Sequence, residues 1–187
     1  MAYIVLGPNV FAVYQEFLEF YCPVLANALP NAVDRAATPK LLADVDNDVF
    51  GLFVQWLYTQ SLLNKNSQPA YQHRSMALWV LAKRLQMPAL QNDCLDVLEE
   101  RRRMEGTIQT KTFAYVYANT AKGDPLRLYL VDVCCCLMET FQSQEVEELF
   151  PEEMRQEIAE AAAVKSEDAD GGIEIETTQY RVPVDII

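Results

Sequence analysis

The chain has 187 residues, 51% of them hydrophobic, with a formal net charge of −12 at pH 7. This length and apolar content suit one packed domain with at most an appendage. From residue 145 onward 13 acidic residues stand against 3 basic ones, compared with 14 and 12 before it, so the body lacks the clustered Lys and Arg of a nucleic-acid-binding surface.

The first segments predict a β-hairpin and then a divided helix. Residues 3–7 and 10–13 are β-rich runs on either side of the turn sequence Gly-Pro-Asn. Residues 15–29 place apolar side chains at helical spacing, and Pro23 interrupts that helix because proline lacks the N–H group and clashes with the preceding turn. After a loop, residues 40–43 are interpreted as a short strand.

The rest of the chain predicts consecutive helices. The segment DVFGLFVQWLYT, residues 48–59, has one wide apolar face, and Asp46 or Asn47 can cap it. Helical patterns then follow in residues 70–85, 88–103, 111–119, 125–140 and 144–164. A β-poor start followed by helices that stack in pairs predicts an α+β fold.

The five cysteines include three consecutive ones, Cys134, Cys135 and Cys136. Neighbouring residues on a helix point about 100° apart, so these thiols alone cannot form a tetrahedral zinc site. We therefore expect buried, reduced cysteines in an intracellular compartment, and no metal or other cofactor. The sequence also predicts neither a secretory signal nor a membrane span.

Enzyme signatures are absent from the sequence. There is no GxSxG, GxxxxGK[ST], HExxH or GxGxxG pattern, and the single histidine, His73, lies in a polar stretch without a cysteine or aspartate placed to orient it. The basic run 101–103 is interpreted as the C-terminal end of a helix, where cations are favoured by the helix dipole. An acidic pair or a cysteine site that spacing does not reveal remains the rival hypothesis.

Three segments together resemble the BTB/POZ domain, in the form common in fungal proteins. They are FAVYQEFLEFYCPVLANAL, DVDNDVFGLFVQWLYTQSL and LWVLAKRLQMPALQNDCLDVL, and a fourth, FAYVYANTAKGDPLRLYLVDV, resembles the region that follows that domain. The resemblance covers about residues 3–132 and implies a small sheet capped by helical hairpins. It also implies that the aromatic residues of the central helix are structural: Phe50, Phe53, Trp56 and Tyr58.

The function that the resemblance implies is non-enzymatic protein–protein interaction, by homo- or hetero-association. Some members serve as adaptors to a cullin-type ubiquitin ligase, so a cullin scaffold is one expected partner. The alternative is a transcription-associated protein that is recruited by another protein and does not contact DNA itself. On this basis the chain divides into a BTB-like domain at 1–105, a helical extension at 106–164 and an acidic, flexible tail at 165–187.

The sequence also departs from the family pattern. Tyr14 and Gln15 stand where members usually carry a histidine and a basic residue, and the extra N-terminal strand and helix of long-form members have no counterpart. A family-type homodimer would lose much of its interface, so the remaining candidate surface lies at 13–21. Its candidate residues are Val13, Tyr14, Phe17, Phe20 and Tyr21, whose aromatic side chains are either exposed interaction anchors or parts of the core.

The tail has two predicted parts. The composition of residues 165–174 predicts disorder. The last segment, YRVPVDII, alternates apolar residues and is expected either to stay flexible or to bind as a strand, in cis or to a partner.

Overall fold

The computed structural model describes residues 1–29, 39–137, 141, 148–165 and 175–184. Within these residues the protein is a mostly helical α+β fold with one two-stranded antiparallel sheet, which confirms the predicted fold class at that level. Among them, no helix is both long and apolar enough to cross a lipid bilayer.

The predicted hairpin is present as β1 (Ala2–Leu6) and β2 (Asn9–Val13), with Ile4 opposite Phe11. Gly7 begins the turn with a φ of +53°, a backbone conformation that glycine adopts without steric cost. One face of the hairpin is buried, because strand side chains alternate between the two faces of the sheet.

Two short helices follow, α1 (Gln15–Tyr21) and α2 (Pro23–Ala28), and the prediction of a helix divided at Pro23 is confirmed. The predicted strand at 40–43 is wrong, because Lys40–Leu42 form one turn of 3-10 helix. The N–H group of Leu42 donates to the carbonyl oxygen of Pro39 at 2.8 Å, so the backbone bonds locally instead of joining a sheet. The predicted loop before it lies largely outside the described residues.

The central helices are α3 (Asn47–Thr59), α4 (Gln72–Arg84) and α5 (Pro88–Glu105), and α4 packs on both α3 and α5. The predicted cap is Asp46, whose carboxylate accepts a hydrogen bond from the N–H group of Asp48 at 2.8 Å. Pro88 occupies the first turn of α5, where its missing N–H group costs nothing, and Gly106 ends that helix at a φ of +67°.

The helical extension consists of α6 (Phe113–Asn119), α7 (Pro125–Leu137) and α8 (Glu152–Lys165), with α8 packed on α7. Arg127 of α7 is buried and donates to the carbonyl oxygens of Tyr117 and Thr120 at 2.7 and 2.8 Å. It also pairs with Glu153 and Glu157 of α8 at 2.9 and 3.3 Å. These bonds satisfy a charge that would otherwise be costly to bury.

One buried apolar cluster runs from Ile4 in β1 to Tyr180 near the C-terminus. Its largest fully buried side chains come from the central helices and from the extension, among them Phe50, Phe53, Trp79, Phe113 and Tyr129. The predicted boundaries at 105/106 and 164/165 therefore do not separate independent cores.

The last described segment, 175–184, lies against α5 and α7, with a turn of 3-10 helix at Thr177–Tyr180. The prediction of a flexible tail over 165–187 does not fit this segment, and the segment adds no strand to the sheet. Its two buried side chains, Ile175 and Tyr180, supply the apolar anchoring that the composition of the tail does not suggest. The predicted disorder at 166–174 falls outside the described residues.

Candidate interaction surface

Helix α1 carries exposed aromatic side chains beside the end of α3. Phe20 is the most exposed of them at 74%, followed by Tyr14 at 52%. Tyr58, at the end of α3, is 41% exposed, and Phe17 and Tyr21 are half-buried between them. We call these five residues the α1 aromatic patch.

The rings of the α1 aromatic patch pack against one another and against a buried ring beneath them. Phe17 meets Tyr58 edge to face with 4.8 Å between ring centroids, and Phe20 meets Tyr21 in the same way at 4.7 Å. Tyr21 in turn packs its edge on the buried Trp56 at 5.9 Å. Such edge-to-face pairs are favoured by the charge distribution of aromatic rings, so the exposed rings are held by a rigid base.

The patch is also fixed through the backbone. The N–H group of Tyr14 donates to the hydroxyl oxygen of Tyr58 at 3.0 Å, which connects the start of α1 to the end of α3. The indole N–H group of Trp56 donates to the carboxylate of Asp93 at 2.7 Å, so the base of the patch is tied to α5. Burial raises the pKa of Asp93 above its usual value despite that hydrogen bond.

Four of the five candidate residues from the sequence belong to this patch. The exception is Val13, which is fully buried at the end of β2, so its inclusion in an exposed surface was wrong. Because β-strand side chains alternate between the two faces of the sheet, Val13 points into the core while Tyr14, which follows it, points outward.

One member of the patch was assigned to the core by the sequence. Phe50, Phe53 and Trp56 are buried as predicted, but Tyr58 is not. It lies in the last turn of α3, two residues before Gln60 ends the helix in a left-handed conformation. Position near a helix end, with a polar hydroxyl, is the signal that favours partial exposure.

Acidic residues lie beside the patch on α1. Glu16 and Glu19 are both exposed, and the Gln15 side-chain amide donates to Glu19 at 2.7 Å. An apolar centre with a charged rim is the usual layout of a protein–protein interface.

His73 lies at a separate cleft of about 420 Å³ beside the start of α3. Its ring stacks on Tyr71, and its Nδ1 atom lies 2.9 Å from the Gln109 side-chain oxygen. The three aspartates of the cleft have partners: Asp48 pairs with Arg74, Asp44 pairs with Arg84 at 2.5 Å, and Asp46 caps α3. The hydrogen bond from Arg84 lowers the pKa of Asp44. The contacts of His73 and of these aspartates are those of a packed surface.

The cysteines show three different degrees of exposure, and Cys135 is the half-buried one. Cys22, Cys94 and Cys134 are buried free thiols, and burial raises the pKa of Cys22 to about 11. Cys136 is exposed, so the prediction of burial is wrong for it, because consecutive residues of α7 point in different directions. In the described ranges, no three His, Cys, Asp or Glu residues form a group that could hold a metal ion.

Comparisons with known proteins give no relative of this chain. No protein-family model matches it, and neither a curated protein nor a solved structure does.

Proposed function

We propose that the chain is a non-enzymatic protein–protein interaction module of BTB type, which associates with itself or with another protein through the α1 aromatic patch. The observation that carries the proposal is the exposure of Phe20, at 74%, on a base of packed rings. A phenylalanine this exposed contributes little to the stability of the fold, because most of its apolar surface remains in water. Burial at an interface would remove that surface from water and so favour binding.

The packing of the patch supports this role. Tyr58 holds Phe17 by ring contact and the start of α1 by a hydrogen bond, so the surface loses little conformational freedom when a partner covers it. Association entropy is a main cost of binding, and preorganised aromatic anchors reduce it. Tyrosines also place a hydroxyl at the edge of an apolar surface, which suits the boundary between interface and water.

The rim charges favour certain partners. Two copies that meet through α1 would bring Glu16 and Glu19 of one copy near those of the other, so self-association should strengthen when salt screens them. A different protein with a basic rim would bind with the opposite salt dependence. Salt dependence therefore distinguishes homo-association from hetero-association.

The resemblance of four segments to BTB proteins extends the proposal to an adaptor role in a cullin-type ubiquitin ligase. In this proposal the surface for a further partner lies on the helices after Thr107 or on the tail.

Self-association is tested by light scattering over a dilution from about 50 µM to about 0.5 µM, a range in which weak dimers dissociate. We expect the mass to rise from 21.3 kDa toward twice that value at high concentration. Phe20→Arg should abolish the rise because the new charge would be buried. Leu128→Arg, which changes a side chain 48% exposed on α7, is the matched control and should leave it unchanged.

A monomer at every concentration would rule out self-association and leave association with another protein. That form is tested in cells with a photo-crosslinking residue in place of Phe20 and, as control, in place of Leu128. Products specific to position 20 would support the module, and identical products at both positions would contradict it.

A further inference from the structure

The segment 175–184, IETTQYRVPV, is held on α5 and α7 by a set of polar contacts that resembles peptide recognition. Ile175 is 3% exposed and Tyr180 is 4% exposed, so two side chains anchor it in the apolar layer. Between and beyond these anchors, Thr178, Gln179 and Arg181 are exposed. The segment is therefore anchored by two buried side chains, and its other face is exposed to solvent.

Asn92 of α5 binds the backbone of this segment. Its side-chain N–H group donates to the carbonyl oxygen of Val182 at 2.9 Å, and its side-chain oxygen accepts from the N–H group of Val182 at 2.8 Å. The pair of bonds is the one that a neighbouring β-strand would make. Because the pair uses only main-chain atoms of the segment, it does not depend on which side chain stands at this position.

Tyr180 gives the contact its side-chain specificity. Its hydroxyl donates to the carboxylate of Asp132 at 2.6 Å, and its ring packs edge to face on Tyr129 of α7 with 5.6 Å between centroids. A phenylalanine would fill the same socket but leave Asp132 without this donor.

Charged side chains of α5 bind the segment at both of its ends. Asp96 accepts from the hydroxyl of Thr177 at 2.6 Å with one oxygen and pairs with Arg181 at 2.6 Å with the other. Arg103 donates to the carbonyl oxygen of Ile175 at 3.0 Å. Asp96 therefore binds both the hydroxyl of Thr177 and the guanidinium of Arg181, which lie four residues apart on either side of Tyr180.

We propose that this face, the α5/α7 groove formed by Asn92, Asp96, Arg103, Tyr129 and Asp132, is a recognition site for a peptide of another protein with the pattern Thr-x-x-Tyr-Arg-Val, bound with a turn of 3-10 helix from the threonine to the tyrosine as in the chain's own segment. In this proposal the chain's own segment 175–184 occupies the groove as an autoinhibitory competitor. The proposal is independent of the α1 aromatic patch, whose residues lie on other helices.

The attachment of the segment favours exchange. Nine residues, 166–174, join it to the end of α8, and they carry four acidic residues and two glycines but one branched apolar residue. A short linker gives its segment an effective concentration on the order of 1 mM. If the free peptide binds an open groove with a Kd of about 50 µM, the tail weakens apparent binding of an outside peptide about 20-fold.

The test uses a fluorescent peptide of residues 175–184 and full-length chains. Tyr180→Ala/Arg181→Glu removes the hydroxyl and ring of the tail and places an acid beside Asp96, so the tail should leave the groove. We expect this variant to bind the peptide, measured by fluorescence anisotropy, at least 10-fold more tightly than the unchanged chain. Adding Asn92→Ala should abolish that binding, and a peptide with Ala at the tyrosine position should not bind to either chain.

Circular dichroism decides whether the double variant is folded. If it is folded and binds no peptide, or binds no better than the unchanged chain, the proposal is wrong. If it is unfolded, a protease site inserted between residues 170 and 171 of the unchanged chain replaces it. Release of the cut segment on dilution, with helicity retained, supports an exchangeable peptide, whereas retention of the segment or loss of helicity shows it to be part of the core and overturns the proposal.

A second copy of the chain is the other source of the same pattern. Exchange of tails would double the mass in light scattering, and Tyr180→Ala would abolish that dimer while Phe20→Arg would not. That result would support the groove but overturn its assignment to a different protein.

Discussion

Glu99 joins α5 to α7 at a buried position. Its carboxylate accepts hydrogen bonds from Arg102 at 2.6 Å and Arg103 at 2.7 Å on its own helix, and from the hydroxyl of Tyr129 on α7 at 2.9 Å. Burial alone would raise the pKa of Glu99, but these three donors outweigh it and hold the pKa below its usual value.

We expect Glu99→Gln to destabilise the fold by about 3 kcal/mol, the lower end of the range for breaking a buried ion pair, because Arg103 is partly solvated and keeps water as a partner. Urea unfolding followed by circular dichroism measures the change. Glu100→Gln, one residue on and exposed, is the matched control and should shift stability by less than about 0.5 kcal/mol. Equal effects of the two substitutions would contradict the assigned role of Glu99.

Folding shifts the pKa of Asp93 in the opposite direction to that of Glu99. Burial raises its pKa, and the nearby charge of Asp96 raises it further, while the hydrogen bond from Trp56 and the charge of Arg181 act against them. A group whose pKa is raised by folding favours the fold below its unfolded pKa of about 3.9 and loses that contribution as pH rises. At neutral pH the ionised Asp93 therefore opposes folding.

Asp93→Asn removes that charge and keeps an oxygen to accept from Trp56 at the present 2.7 Å. We expect the melting temperature at pH 7 to rise by about 2–4 °C, the shift that corresponds to about 1 kcal/mol in a domain of this size. The gain should shrink as pH falls and Asp93 binds a proton. A lower melting temperature at pH 7 would mean that the attraction to Arg181 outweighs the cost of burial.

At the scale of the helices, two glycines make a matched pair. Gly51 lies inside α3 with no atom within 4 Å of where a Cβ would stand, so alanine there lowers the entropy of the unfolded chain without a clash. Gly106 has equal space but ends α5 at a φ of +67°, which costs an L-residue about 1–2 kcal/mol.

Gly51→Ala should therefore stabilise the protein by about 0.5–1 kcal/mol, and Gly106→Ala should destabilise it by about 1 kcal/mol or more. Urea unfolding of both variants beside the unchanged chain checks the prediction. Because both substitutions add one methyl group into open space, a shift of the same sign for both would show that backbone conformation at 106 does not control the effect.

The helices were predictable because their signals are local. Asp46 stands before a wide apolar face, Pro88 opens α5 and Pro23 divides α1 from α2, and each acts within one helical turn. The short turn at Lys40–Leu42 was not, since three residues give no period that separates a strand from a 3-10 turn.

The interaction surface was predictable only in part. The spacing of Phe17, Phe20 and Tyr21 identifies an aromatic helix, but which ring faces water depends on α3, more than thirty residues later. The docking of the tail depends on contacts between residues 81 and 90 positions apart, such as Thr177 with Asp96 and Val182 with Asn92. No local pattern carries that information.

At the scale of the whole molecule, two charge effects change the stability of the fold in opposite directions as pH falls. The net charge is −12 at pH 7 and vanishes near pH 4.5, so repulsion among the acids weakens as pH falls. Against this, folding lowers the pKa of Glu99 and of Asp44, which Arg84 holds by a hydrogen bond. Groups with lowered pKa stabilise the fold above their unfolded values, near 4, and lose that contribution as pH falls.

We therefore expect the melting temperature to reach a maximum between about pH 5 and pH 6, where repulsion is reduced and both carboxylates are still ionised. Below about pH 4 it should fall steeply, with protonated Asp93 offsetting part of the loss. Melting curves from pH 3 to pH 8 at about 20 mM and about 500 mM salt separate the two causes, because salt screens exposed repulsion more than buried pairs. High salt should reduce the fall in melting temperature between the maximum and pH 8. Glu99→Gln should reduce the fall in melting temperature on the acid side of the maximum. A melting temperature that rises steadily to pH 8 at low salt would contradict the role given to net charge.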